Sequence, residues 1–176
     1  MNRISLRPLE EIDQGILEEL KRRLEEVFGC PVEMKPQTID LARAYNPSRK
    51  QYLSTTLLST LGASEKGEKA LGIVDVDLYV PGLNFVFGEA DMGSGVAIIS
   101  LWRLRQGRYS LPSNRELFLE RAIKEAIHEL GHTYGLGHCS DRKCIMYFSN
   151  SLMDTDRKQA AFCSKCRQIL ERRGIC

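Results

Sequence analysis

The sequence predicts an α/β fold in which a small mixed sheet packs against helices. Helical three- and four-residue apolar spacing alternates along the chain with period-two stretches. The 176 residues, 43% hydrophobic and 27% charged, are long and apolar enough to bury a core. No repeat, low-complexity tract or long linker interrupts the pattern. One domain over residues 1–176 is expected, with sheet and helices in 1–138 and a small C-terminal part in 139–176.

Ile4 and Leu6 alternate at the start. Ile12, Ile16, Leu17, Leu20, Leu24, Val27 and Phe28 then predict an amphipathic helix from about Leu9 to Phe28, stopped by Gly29 and Pro31. A short strand is expected at Val32–Lys35, followed by a polar loop through Asn46 and Pro47. Leu53, Leu57 and Leu61 predict a second helix from about Arg49 to Leu61, ended by Gly62. Val74, Val76 and Leu78 alternate with Asp75, Asp77 and Tyr79, as in a half-buried strand. Asn84–Phe87 and Val96–Trp102 are further strand candidates, joined by the glycine-rich stretch Gly88–Gly95. That stretch lacks a P-loop lysine and dinucleotide-type glycine spacing, so it reads as a mobile loop. Pro112 and Ser113 open a long helix, with Ser113 and Glu116 spaced as a capping box.

The 25 basic and 23 acidic residues leave a formal charge of +2, which gives no general field for nucleic acid or an anionic membrane. No apolar stretch is long enough to span a bilayer, and no signal-type segment opens the chain. A cytoplasmic protein is expected, acting as a monomer without nucleic-acid or membrane partners. In a reducing compartment its six cysteines read more readily as metal ligands than as disulfides.

All three histidines fall within eleven residues, His128-Glu129-Leu130-Gly131-His132-Thr133-Tyr134-Gly135-Leu136-Gly137-His138. His128 and His132, four apart on a helix, lie about 40° apart around its axis and share one face. Gly135 supplies the positive φ that ends the helix and lets the chain fold back, bringing His138 to the same ion. Three protein ligands leave a fourth position open, the arrangement of catalytic zinc. Zinc there lowers the pKa of a water towards about 7 and polarises a carbonyl. Glu129, rotated off the ligand pair, is placed to take the water's proton and later pass it to the leaving amine.

This string resembles the extended H-E-x-x-H-x-x-G-x-x-H motif of the metzincin metalloproteases. Cys139 directly after His138, then Cys144, Met146, Cys163 and Cys166, resemble the archaemetzincins, whose zinc motif is followed by C-x4-C-x-M and a later C-x2-C. The segment Asp75–Gly88 is similar to that family too. The resemblance implies a metzincin-like zincin fold, with a twisted sheet above an active-site helix and a zinc-stabilised C-terminal segment. It also implies a hydrophobic base formed by Met146 under the three imidazoles, and an edge strand that pairs with extended peptide. By position that strand lies within Val96–Trp102, for which an internal core strand is the equal alternative. Phe148 occupies the position where some metzincins carry a ligating tyrosine, so that role is not carried over.

Cys139 and Cys144, and Cys163 and Cys166, have zinc-ligand spacing, and the resemblance implies one closed four-thiolate structural site. Two disulfides, or a redox-active Cys163–Cys166 pair, are the alternatives. Cys30 is expected to be a small buried hydrophobe and Cys176 a frayed terminal thiol. Asp75 and Asp77 share a face and read as solvated. Taken together, the expectation is a zinc metallopeptidase with two Zn²⁺ per chain that hydrolyses peptide or protein substrates. A zinc-stabilised peptide-binding or regulatory protein without catalysis is the alternative.

Overall fold

A computed structural model describes residues 2–175. Its main sheet has the strand order β2-β1-β5-β8-β7, formed by Val32–Met34 (β2), Arg3–Pro8 (β1), Glu68–Val74 (β5), Val96–Ser100 (β8) and Gly88–Asp91 (β7). Neighbouring strands run parallel except β7, which pairs antiparallel with β8. A second sheet, ordered β3-β4-β6, joins Tyr45–Asn46 (β3), Gln51–Leu53 (β4) and Leu78–Tyr79 (β6). The mixed α/β architecture agrees with the sequence, and no described helix is long and apolar enough to cross a membrane.

The central strands are apolar on both faces because both faces are covered. Leu71, Ile73, Ala97 and Ile99 pack with the helices α1 (Gln14–Phe28) and α3 (Arg115–Thr133). Ala70, Val74, Val96 and Ile98 pack on the other face with Leu57, Leu58 and Leu61 of and after helix α2 (Ser54–Thr60). Double burial erases the period-two signal in Glu68–Val74, so the longest strand was not evident in the alternation pattern. The alternating stretch that follows it is instead the bend from β5 to β6. There Asp75 and Asp77 are not a solvated pair: Asp77 accepts a fork from Arg103 at 2.6 and 2.7 Å, and Asp75 pairs with Arg105.

Several boundaries move for identifiable reasons. Leu9 N–H still bonds to Ile73 O at 3.0 Å, continuing the sheet, so α1 starts later than Leu9. Asp13 caps it by accepting from Ile16 N–H. The first part of the second predicted helix is strand β4, because Tyr52 and Leu53 pair with Leu78 and Tyr79. Asn114, not Ser113, caps α3 by accepting from Leu117 N–H at 3.0 Å. The glycine-rich stretch is not all loop: it forms β7 and a turn stabilised by Asp91, whose side chain accepts from Gly93 and Ser94 N–H. The edge strand is therefore β7, and Val96–Ser100 is internal. Cys30 is half-buried and packs against the core, while Cys176 lies outside the described residues.

Candidate metal centres and active site

Helix α3 runs under the sheet, and every residue from Arg121 to Gly131 is buried. Its C-terminus is a Schellman cap: Leu136 N–H bonds to Gly131 O at 3.0 Å and Gly135 N–H to His132 O at 2.8 Å. Gly135 holds φ +85°, as its place in this motif demands. The reversal returns the chain so that candidate ligand atoms of His128, His132 and His138 all lie within 4.8 Å of one another.

His128 Nδ1 lies 2.8 Å from Ile145 O, and His132 Nδ1 lies 2.8 Å from Leu136 O. A carbonyl oxygen only accepts, so both Nδ1 atoms carry the proton and both Nε2 atoms present a lone pair. Those two Nε2 atoms face each other at 3.1 Å. Two lone pairs so placed repel unless a cation lies between them. Tetrahedral Zn–N bonds of about 2.0–2.1 Å require ligand separations of roughly 3.3 Å, so the donor set fits zinc. Burial drives the His128 imidazole well below its ordinary pKa, with the Lys158 ammonium and the other histidines acting the same way.

Glu129 is 7% exposed and lies against the edge strand. A Cβ on Gly88 would stand 2.7 Å from Glu129 Cγ and 2.6 Å from Ile98 O, so only glycine lets β7 and the carboxylate approach this closely. Burial, with the neighbouring Glu125 carboxylate, lifts the Glu129 carboxyl well above the usual range, against the pull of Lys158. Met146 is fully buried and packs on Gly131, between the two helical histidines; a Cβ on Gly131 would meet its Sδ at 2.5 Å. The Phe148 ring sits 4.9 Å from that of His138.

The four cysteines converge next to this site. Cys139 follows His138, Cys144 precedes Met146, and Cys163 and Cys166 open helix α5 (Ser164–Arg172), which follows α4 (Leu152–Arg157). Cys139–Cys163 and Cys144–Cys166 sulfurs are each 3.8 Å apart, and all four lie within 4.8 Å of one another. A tetrahedron of Zn–S bonds near 2.3 Å has edges of roughly 3.8 Å, so this set fits zinc as well. None of the four is disulfide-bonded. The Cys163–Cys166 pair does open a helix, as a redox pair would, but it follows no strand and has two further thiols against it.

Three neighbours escaped the sequence reading. Glu125, one helical turn before Glu129, accepts from Thr155 Oγ1 at 3.0 Å and pairs with Lys158 at 3.3 Å. Its place on the helix was a usable signal. Lys158, some thirty residues on and wholly buried, had none, and Gly88 was hidden in a glycine-rich run. A cavity of ≈ 190 Å³ adjoins His128 and Glu129, with Phe85, Phe87, Phe148 and Glu125 in its lining.

Comparison with known proteins agrees with this geometry. Residues 42–172 match Peptidase family M54. The archaemetzincin of Methanocaldococcus jannaschii is 45% identical over 173 residues, covering 98% of this chain and 95% of that protein. The crystal structure of archaemetzincin from Methanopyrus kandleri has TM-score 0.85 and 40% identity, covering 97% and 94% of the two chains. That of a zinc-dependent peptidase from Methanocorpusculum labreanum has TM-score 0.86 and 32% identity, covering 95% and 99%. With a family model over most of its length and relatives of 40% identity or more at near-full coverage, the chain belongs to Peptidase family M54, the archaemetzincin zinc metallopeptidases.

Proposed function

We propose that His128, His132 and His138 hold the catalytic zinc and that Glu129 is the general base, then acid, of peptide hydrolysis. The convergence of the histidine nitrogens beside a buried glutamate at a sheet edge carries this reading. Zinc held there supplies Lewis acidity, polarising a peptide carbonyl and lowering the pKa of water. The substrate lies along β7, whose side away from β8 has no strand partner among the described residues. Glu129 takes a proton from the attacking water on its carboxylate and returns it to the amide nitrogen of the leaving peptide. Gly88 sets how closely the strand and that carboxylate approach. Met146 and the Schellman cap at Gly135 support the histidines from beneath and behind.

Cys139, Cys144, Cys163 and Cys166 hold a second, structural zinc, giving two ions per chain. Four unbridged thiols favour a reducing, cytoplasmic setting. Both centres are complete within one chain, so a monomer acting as one domain suffices for the reaction. Glu129→Ala tests the mechanism: the variant retains zinc by elemental analysis but loses hydrolysis of a mixed peptide library by at least about 100-fold. Turnover that survives this substitution overturns the assignment of Glu129.

A further inference from the structure

Beside His128 and Glu129, the cavity described above has aromatic walls, and its lining includes two carboxylates but no lysine or arginine. Glu129 is committed to the proposed reaction. Glu125 is not. It is 3% exposed, and its Oε1 takes both Thr155 Oγ1 and Lys158 Nζ. No hydrogen-bond donor among the described residues reaches its Oε2. Lys158 has no exposed side-chain surface and is not part of the lining, so the cavity meets the carboxylate and not its counter-ion.

A carboxylate oxygen that opens onto an aromatic-walled cavity without a protein donor favours an occupant that brings one. An apolar side chain entering the cavity leaves it unmatched, and an acidic one adds a third carboxylate. A basic side chain satisfies both parts of the site. Its methylene stem lies along the phenylalanines, and its head reaches the carboxylate. Aromatic faces also attract cations, and Phe85 already carries the Arg103 guanidinium 4.3 Å from its ring centre.

We propose that this cavity is the subsite for a lysine or arginine flanking the scissile bond, with Glu125 as the specificity-determining residue and Thr155 and Lys158 holding it in place. The proposal rests on the peptidase reading of the adjacent site. The test uses the zinc-loaded full chain and paired peptides that carry lysine, norleucine or glutamate at each position flanking the cleaved bond. At one of those positions lysine is expected to exceed norleucine in kcat/KM by about 10-fold or more, and glutamate to be cleaved least.

In Glu125→Gln, which keeps an amide oxygen for Thr155 and Lys158, the lysine-to-norleucine ratio falls by about 10-fold. Should that variant fold poorly, Glu125→Leu combined with Lys158→Met removes both charges together and carries the same expectation. A ratio unchanged in the folded variant, or norleucine preferred by the parent, overturns the subsite. Binding of the same peptides to Glu129→Ala, read by fluorescence anisotropy, separates the two readings. Absence of cleavage for every peptide overturns the peptidase reading alone. Equal affinity for the lysine and norleucine peptides overturns the subsite alone.

Discussion

Gly88 is the residue on which the cleft closes. It is the first residue of the edge strand, and any side chain there drives into Glu129 and the Ile98 carbonyl. Gly88→Ala must therefore shift either the strand or the carboxylate. A misplacement of that kind costs on the order of 10–100-fold in kcat/KM, with zinc content unchanged; wild-type kcat/KM in the variant would show that the contact does not position Glu129. Gly135 was readable from sequence because its role depends on neighbours three to five residues away. Gly88 was not, because its constraint comes from a helix forty residues on.

At the scale of elements, α3 delivers His128, His132 and Glu129 together, and its 3.6-residue period made that delivery legible. The sheet above it was harder to read. Strands β5 and β8 lie between helical layers on both sides, so their alternation is lost, and of the two readings of Val96–Trp102 the internal strand is the one found. The start of β5 is anchored by Glu68, whose side chain is fully buried. Burial pushes its carboxyl up, but Lys35 at 2.9 Å and the Glu65 N–H at 3.1 Å outweigh this and hold it at about 2. The unfolded value is about 4.3, so the carboxylate stabilises the fold above that pH, and the contribution is lost as pH falls towards 2. Glu68→Gln is expected to cost about 1–3 kcal/mol at neutral pH. Urea unfolding from pH 7 down to pH 3 checks this, since the gap between variant and parent should narrow steadily below about pH 4.

Over the whole molecule, the cysteine cluster joins the loop after His138 to the C-terminal helix. Cys139 N–H bonds to Met146 O at 2.9 Å, and Ile145 O receives the His128 Nδ1 proton, so both proposed centres share one short segment. Loss of the structural ion should therefore loosen the histidines too. In Cys166→Ser the zinc content is expected to fall below two per chain, the melting temperature to drop by several degrees, and hydrolysis to fall at least about 10-fold. Elemental analysis and a thermal melt measure the first two directly, and an unchanged zinc count would remove Cys166 from the ligand set. The sequence by itself determined the mixed α/β class, the clustering of the three histidines and the pairing of the cysteines at ligand spacing, because each rests on short spacings that local structure preserves. Only the tertiary structure decided which strand is the edge, that Gly88 meets Glu129, and that Glu125 faces a cavity with Lys158 buried beside it. Those contacts join residues far apart in the chain, and double burial and long-range pairing leave no periodic trace of them in the sequence.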